Sequence, residues 1–391
     1  MQTREATVVT SVKVQGECDN RFRAVRDALA EVFVARGEVG IAAAVYVDGK
    51  PVVDLWAGHA DSARSRPWQR DTMVLVHSTT KGMTAICAHR LVERGLLDLD
   101  SPVAEYWPEF AQAGKETLPV RYLLSHRAGL PAVRRSLPAG ALFEWDTMTA
   151  ALAAQEPWWA PGTKHGYHAL TYGFLVGELV KRISGKSLGT FFREEVAEPL
   201  GVDFHIGFGP ELDARVADIV PPAPDEETFM AAMLKDPESI QAKAFNNPPR
   251  QGRDPNDRDF RAAELPAANG HGTARALARV YGALAQGGEL EGVRVLTPQA
   301  IDRAIVEQSN GPDAVLGLPM RFGLGFMLTG NDAPWGPNPR TFGHPGLGGS
   351  LGFADPDAGV GFGFVVNRLP TTKDALSPRH GPLVDALYAS L

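Results

Sequence analysis

A serine and a lysine one helical turn apart are the residues of this sequence best suited to nucleophilic chemistry. Ser78 precedes Lys81 by three positions, and no other serine in the chain has a lysine at that spacing. Residues three apart share one face of a helix, so the hydroxyl and the amine can touch. A helix N-terminus supplies partial positive charge and free N–H groups, which favour an oxyanion beside Ser78. The pair therefore predicts an acyl-transfer nucleophile, and its position matters because about one such match is expected by chance.

The hydroxyl proton of Ser78 needs an acceptor, and Tyr167, paired with Lys81, is the preferred candidate. A lysine ammonium has no lone pair, so either burial removes its proton or a second group is the base. An ammonium about 4 Å from a phenolate contributes roughly 4 kcal/mol at an effective dielectric of about 20. That would lower a tyrosine pKa by about three units. Burial opposes this shift, so both groups remain candidates for the base, and a packing role is the alternative for Tyr167.

A helix has to hold the nucleophile, and the residues that follow Ser78 predict one over 79–93. Residues 83–88 are all uncharged, which is wider than a single amphipathic stripe. We therefore expect this helix to be buried on most sides.

Strands are predicted near both ends of the chain and helices in the middle. A first helix at 22–35 precedes strands at 40–47 and 51–56, which Asp48-Gly49 joins as a hairpin. Apolar spacing predicts further helices at 120–125, 147–154, 169–184, 188–196, 274–286 and 381–391, and strands at 323–328, 350–354 and 361–367.

This order of elements predicts two domains. Residues 1–76 and 290–391 form a discontinuous α/β domain, and residues 77–289 form a mainly helical one. The segment 205–270 is rich in Pro, Asp, Glu and Asn, which is typical of a long loop. We expect the active site between the two domains.

Composition narrows the classes of partner. The 391 residues carry a net charge of -7, whereas nucleic-acid-binding proteins present a basic face, so no nucleic-acid partner is expected. No stretch approaches the roughly 20 apolar residues of a membrane span, and residues 1–22 contain no apolar run typical of a signal peptide. Cys18 and Cys87 do not suggest a disulfide framework. We expect a cytoplasmic protein without metal or cofactor, and no oligomeric state is predicted.

Three short motifs resemble those of a known superfamily. They are Ser78-Thr-Thr-Lys81, Tyr167-His-Ala169 and His344-Pro-Gly346, and their order and rough spacing are similar to those of class C β-lactamases and their relatives. Within that superfamily, residues 167–173 and 343–349 are most similar to family VIII carboxylesterases, which are esterases on a β-lactamase fold.

The resemblance implies a β-lactamase and penicillin-binding-protein-like fold of the α/β plus all-α class, with an antiparallel sheet flanked by helices and an inserted helical domain. It also implies a covalent acyl-enzyme on Ser78. By position, the resemblance also implies that the backbone N–H groups of Ser78 and Leu347 form the oxyanion hole. Gly346 and His344 are then expected at the substrate, although a packed strand histidine is the alternative for His344.

Two departures from the β-lactamase motifs bear on the substrate. Ala169 stands where those enzymes have an asparagine that holds the substrate amide, and its side chain has no polar atom. His344 stands where they have a lysine, and histidine is only partly charged near neutral pH. A neutral ester is therefore the more expected substrate than a β-lactam.

Ser350 is a competing nucleophile, because Gly348-Gly-Ser-Leu-Gly352 matches the Gly-x-Ser-x-Gly pattern. That pattern needs a strand before the serine and a helix after it, and a strand-like run follows here instead. We therefore prefer Ser78.

Weaker signals have mainly structural interpretations. His165 and His168 are three apart, but no third ligand cluster lies nearby, so no metal site is expected. Trp158 and Trp159 are candidates for an apolar acyl pocket, with core packing as the alternative. The acidic segment around Asp225 is expected to be a solvated surface, with a lid as the minor alternative.

The sequence thus predicts a serine carboxylesterase for short-chain esters that uses Ser78, Lys81 and Tyr167. Hydrolysis of a β-lactam, a D-amino-acid amide or a peptide, and acyl transfer to an alcohol, are alternatives at the same site. A non-catalytic binding protein is disfavoured because all three residues are present.

Overall fold

The computed structural model describes residues 12–222, 228–249, 254–330, 335–371 and 378–391. The acidic segment around Asp225 lies outside these ranges. The strands are β1 (Gln15–Cys18), β2 (Gly40–Val47), β3 (Lys50–Gly58), β4 (Val74–Leu75), β5 (Phe204–His205), β6 (His271–Gly272), β7 (Glu289–Leu290), β8 (Val293–Arg294), β9 (Ser309–Pro312), β10 (Pro319–Phe322), β11 (Met327–Leu328), β12 (Phe342–Pro345), β13 (Leu351–Asp355) and β14 (Val360–Val366). The helices are α1 (Arg23–Arg36), α2 (Thr80–Glu93), α3 (Val103–Tyr106), α4 (Val120–Leu124), α5 (Trp145–Ala154), α6 (Thr171–Ser184), α7 (Leu188–Phe192), α8 (Glu198–Leu200), α9 (Phe229–Met233), α10 (Ile240–Asn246), α11 (Arg258–Ala262), α12 (Ala274–Ala285), α13 (Pro298–Ala304) and α14 (Gly381–Ala389).

Nine strands form one antiparallel sheet in the order β1-β3-β2-β14-β13-β12-β11-β10-β9. The predicted hairpin between β2 and β3 is confirmed, and Asp48 (φ 49°) and Gly49 (φ 75°) both adopt the left-handed conformation of a tight turn. Strands from both ends of the chain meet where β2 pairs with β14. The predicted fold, an antiparallel sheet flanked by helices, is confirmed.

The two faces of the sheet pack on different helices. Along β2, Ile41, Ala43 and Val45 belong to the apolar cluster that includes α1 and α14. Ala42 and Ala44 belong to the cluster on the opposite face, which includes α12. Helix α12 lies very close to β14, because a Cβ on Gly363 would come within 2.1 Å of the Ala274 carbonyl oxygen. Successive residues of β2 thus point to opposite faces of the sheet and pack in different clusters.

Helix α2 is the buried helix that the sequence predicts. Eleven of its fourteen residues are buried, including Lys81, and it packs against α6 and α7 and also contacts β12. Helix α2 therefore lies between the helical block and the sheet.

The predicted domain boundary at 289/290 separates α12 from the sheet, yet α12 packs on β14, β2 and β13. This packing favours a boundary before residue 274. The division into two domains remains a prediction.

The end of the sheet differs from the prediction. The expected strand at 323–328 is reduced to Met327–Leu328, because Gly325 (φ 90°) and a hydrogen bond from Gly323 N to Phe326 O form a turn. Strands β1, β9, β10 and β12 were not predicted. No helix in the described ranges has the length and apolarity that a membrane crossing requires.

Candidate active site

The nucleophile candidate stands on a sharp turn. His77–Thr79 forms a short 3-10 helix that leads directly into α2, and His77 has the left-handed φ of 47°. Such a conformation costs about 1 to 3 kcal/mol in a non-glycine residue and is concentrated at functional sites. Ser78 is partly exposed, and Lys81 follows one turn later in the buried interior.

The amine of Lys81 faces the hydroxyl of Ser78. Its Nζ lies 3.3 Å from Ser78 Oγ and donates to the carbonyl oxygens of Ala169 (2.8 Å) and Ala267 (2.9 Å). Lys81 is fully buried, and burial lowers its pKa well below the usual value. A neutral amine has two N–H groups and one lone pair, so two carbonyl bonds leave the lone pair for Ser78.

Tyr167 completes the group. Its ring centroid lies 4.7 Å from Lys81 Nζ, and Tyr167 and Ser78 line the same cavity. Burial raises the pKa of Tyr167 above its usual value, which is opposite to the shift expected from an adjacent ammonium. The structure thus brings Ser78, Lys81 and Tyr167 together, in surroundings where burial favours the neutral forms of both the phenol and the amine.

Three consecutive backbone N–H groups hold the Tyr167 segment. Gly166 N donates to the His126 carbonyl oxygen (3.0 Å), Tyr167 N to Asp313 Oδ1 (3.0 Å) and His168 N to His126 Nδ1 (3.1 Å). His126 and Asp313 were not predicted from the sequence, because they lie 42 and 146 residues from their partners and no spacing pattern marks them.

The chain just after β12 passes so close to the turn that carries Ser78 that position 346 has no room for a side chain. A Cβ at this position would lie 2.3 Å from both the Val76 carbonyl oxygen and Ser350 Oγ. The next residue, Leu347, lines the same cavity as Ser78. In the part of the chain that is described, neither the Leu347 N–H nor the Ser78 N–H has a backbone acceptor. Both are therefore available as the oxyanion donors proposed from sequence.

His344 lies on β12 in the cavity wall and is almost completely buried. Its Nδ1 donates to the Pro345 carbonyl oxygen (2.7 Å), so the proton of the neutral ring is on Nδ1 and Nε2 is an acceptor. Burial, with a smaller effect of nearby Lys81, lowers its pKa to about 3. The expectation of a partly charged His344 is therefore wrong, because the ring is buried and neutral.

Ser350 has a structural position. Its Oγ donates to the Val76 carbonyl oxygen (2.7 Å) and lies 3.1 Å from Thr79 Oγ1. Strand β13 follows it immediately, so the helix that a nucleophile elbow needs is missing. The serine ties β13 to the turn that carries Ser78.

An apolar cavity of about 280 Å³ opens beside Ser78 and Tyr167. Its apolar walls include Phe245, Leu316, Leu318, Met320 and Met327.

The expectation that Trp158 and Trp159 wall the acyl pocket is wrong for this cavity, because neither lines it. The Trp158 indole N–H donates to the Ala132 carbonyl oxygen, and that of Trp159 donates to the Lys164 carbonyl oxygen. Both indole N–H groups are therefore satisfied by backbone carbonyls.

The histidine pair three apart is used structurally. His168 donates from Nδ1 to the Gly166 carbonyl oxygen and accepts the Leu130 N–H at Nε2, and His165 faces Asp313. In the described ranges, no group of three or more His, Cys, Asp or Glu side chains is arranged to hold a metal ion.

The sequence and the fold of this chain are similar to those of known proteins. A model of the beta-lactamase family matches residues 23–383. The Esterase/beta-lactamase LipL of Mycobacterium tuberculosis is 43% identical over 373 residues, which are 91% of this chain and 83% of that protein. The crystal structure of a family VIII carboxylesterase has a TM-score of 0.88 at 42% identity, covering 97% of this chain and 100% of the other. A penicillin-binding protein homolog from Caulobacter crescentus has the same TM-score of 0.88 at 41% identity, again covering 97% and 100%. The resemblance inferred from the three motifs is confirmed.

Proposed function

The chain belongs to the beta-lactamase family and is a serine hydrolase, and we propose that it acts as a carboxylesterase on short-chain esters through an acyl-enzyme on Ser78. The observation that carries the proposal is the placement of Lys81 Nζ 3.3 Å from Ser78 Oγ, with two carbonyl oxygens occupying its N–H groups.

In the acylation step, Ser78 Oγ attacks the ester carbonyl carbon while the Lys81 amine takes the hydroxyl proton. The N–H groups of Ser78 and Leu347 stabilise the oxyanion. The carbon–oxygen bond to the alcohol then breaks. Tyr167 donates its phenolic proton to the leaving oxygen, and the Lys81 ammonium returns a proton to Tyr167.

Deacylation uses the same groups. A water attacks the acyl-enzyme and gives its proton to the Lys81 and Tyr167 pair. The bond to Ser78 Oγ breaks, the oxygen regains a proton from the pair, and the carboxylic acid is released. Lys81 as the base agrees with the lowered pKa of its amine, and Tyr167 as the acid agrees with the raised pKa of its phenol.

Two features favour a neutral ester over a β-lactam. Ala169 presents no polar side-chain atom to an amide, and the neutral His344 offers no positive charge to a carboxylate. The cavity, at about 280 Å³, lies near the lower end of the range for ligand pockets, which favours a short acyl group.

Replacement of Ser78 by Ala tests the proposal. We expect the variant to fold normally, to lose turnover of a p-nitrophenyl ester and to escape labelling by a fluorophosphonate. Retained turnover would remove Ser78 from the mechanism.

β-Lactam hydrolysis is the second candidate, since the Mycobacterium tuberculosis relative is called an esterase/beta-lactamase. Rates on short esters, on nitrocefin and on a D-amino-acid amide would distinguish the activities. The proposal expects the ester to be the best substrate of the three.

A further inference from the structure

A buried carboxylate connects the catalytic tyrosine to the wall of the cavity. The Asp313 side chain has no exposed surface, and its Oδ1 accepts the backbone N–H groups of Tyr167 (3.0 Å), Val315 (2.9 Å) and Leu316 (2.8 Å). A carboxylate loses much hydration on burial, and several N–H donors offset that loss. One oxygen atom thus fixes two segments that are far apart in sequence.

The second of these segments forms part of the cavity. Leu316 and Leu318 line it, and the turn that carries them is closed by a hydrogen bond from Asp313 N to the Leu318 carbonyl oxygen (2.9 Å). A second bond, from Ala314 N to the His165 carbonyl oxygen (3.0 Å), joins the same two segments. A displacement of this turn would therefore also displace Tyr167.

We propose that Asp313 is a positioning residue that holds Tyr167 and the Leu316 wall of the acyl cavity as one rigid unit. Its carboxylate orients the tyrosine through the backbone and does not touch the substrate. The inference rests on the proposed function, because it assigns the cavity to the acyl group. It predicts that Asp313 controls both the rate of the chemical step and the preference for acyl length.

The remaining oxygen of Asp313 suggests a conservative replacement. Oδ2 lies 3.9 Å from His165 Nε2 and has no hydrogen-bond partner within the described ranges. An amide at this position keeps an oxygen for the Tyr167 N–H and turns an N–H toward the imidazole. Asp313→Asn should therefore preserve the geometry that Asp313→Ala destroys.

Asp355 provides a matched control. It too is fully buried, and its Oδ1 accepts two backbone N–H groups, those of Asp357 and Ala358, in the turn between β13 and β14. It does not line the cavity. Asp355→Ala removes a similar turn anchor away from Ser78.

The experiment measures kcat and KM on p-nitrophenyl acetate and butyrate, together with the rate of fluorophosphonate labelling at Ser78. We expect Asp313→Ala to lose about 100-fold in kcat and in labelling rate, as a displacement near 1 Å produces. The ratio of the two ester activities should also change. Asp313→Asn should stay within about tenfold of wild type, because a neutral acceptor is weaker but equally placed. Asp355→Ala should keep wild-type kinetics although its loss of thermal stability is at least as large, because Asp355 Oδ2 also accepts from the Tyr388 hydroxyl and the Asn338 amide.

The proposal is overturned if folded Asp313→Ala keeps wild-type kcat and labelling rate, or if Asp355→Ala loses as much. If Asp313→Ala does not fold, the test is which of Asp313→Asn and Asp313→Glu is the more active. Glu keeps the charge but moves the oxygens, so a Glu variant at least as active as Asn would overturn the proposal. Labelling does not require an ester substrate. A wild-type protein that is labelled but hydrolyses no ester would therefore reject the proposed function alone.

Discussion

Lys81 Nζ lies 3.3 Å from Ser78 Oγ, and the carbonyl oxygens of Ala169 and Ala267 occupy its other hydrogen-bonding positions. The Ala169 carbonyl lies just after Tyr167, and the Ala267 carbonyl lies before α12. The amine therefore joins three separate parts of the chain. In the neutral form of the amine, these two acceptors set the direction of the lone pair. Burial favours the neutral form of the amine, which is the form that can take a proton.

The first prediction concerns the pH dependence of the reaction. Because burial lowers the pKa of Lys81, the neutral base should form as the pH rises through that lowered value, so kcat/KM should rise and then reach a plateau. Tyr167 keeps its proton because its pKa is raised, so no falling limb is expected near neutral pH. The profile on a p-nitrophenyl ester measures this. A continued rise toward the usual lysine pKa would contradict it.

The matching variant is Lys81→Arg, whose guanidinium does not lose its proton. We expect kcat to fall by about 10² to 10⁴, the usual contribution of a general base. Lys115→Arg is the control, because Lys115 is also buried and donates to the carbonyl oxygens of Ala153 and Gln155. It lies outside the cavity and should affect stability alone.

The second prediction concerns the acid. Tyr167→Phe removes the proton donor but keeps the ring that packs on His126 and Phe322, so kcat should fall by about 10² to 10⁴ while the thermal midpoint stays close to wild type. Tyr172→Phe is the control, since Tyr172 is buried and no partner for its hydroxyl is found in the described ranges. Equal loss in both variants would argue against a specific role for Tyr167.

The elements that hold the nucleophile were predictable because their signals are local. Helix α2 follows from an uncharged run beside Ser78, and the hairpin of β2 and β3 follows from Asp48-Gly49. The motif containing Tyr167 was found through the family resemblance. Its placement depends on bonds across the fold.

The features that were missed depend on tertiary contacts. Asp313 accepts the backbone N–H of Tyr167 although the two residues are 146 positions apart in sequence, so no periodicity could pair them. Strand β12, Phe342–Pro345, contains Gly, His and Pro rather than β-branched residues, and it is a strand because it pairs with β11 and β13. The sequence left open whether burial or a nearby ammonium decides the pKa of Tyr167, because burial cannot be measured from sequence, and in the structure burial raises it.

The third prediction separates the two candidate nucleophiles. Ser350→Ala removes the donor to the Val76 carbonyl oxygen, which keeps its other bond from Thr79 N (3.2 Å). We expect a loss of about 1 kcal/mol in the free energy of unfolding, with turnover retained. Mass spectrometry after fluorophosphonate treatment should find the label on Ser78 in this variant. A variant without label would instead favour Ser350.

The fourth prediction concerns acid stability. Burial lowers the pKa of core histidines, to about 4 in His89 and to about 3 in His271. The folded values lie below the unfolded value of 6.5, so the unfolded chain binds more protons as the pH falls toward them. The contribution of these histidines to the free energy of unfolding should therefore be fully present above about pH 6.5 and decrease below it. At about pH 5, each such histidine should lower the free energy of unfolding by about 2 kcal/mol relative to neutral pH.

Urea unfolding at about pH 7 and about pH 5 measures this effect, in a range where ordinary carboxyl groups are still mostly ionised. His89→Gln keeps a donor for the Leu324 carbonyl oxygen, which His89 Nε2 contacts at 2.8 Å, and removes one titrating group. It should reduce the acid loss by about 2 kcal/mol, and adding His271→Gln should reduce it by about as much again, because separate sites add. The histidines are not the source of acid sensitivity if the wild-type free energy of unfolding is the same at both pH values. The same conclusion holds if neither substitution reduces the difference between them.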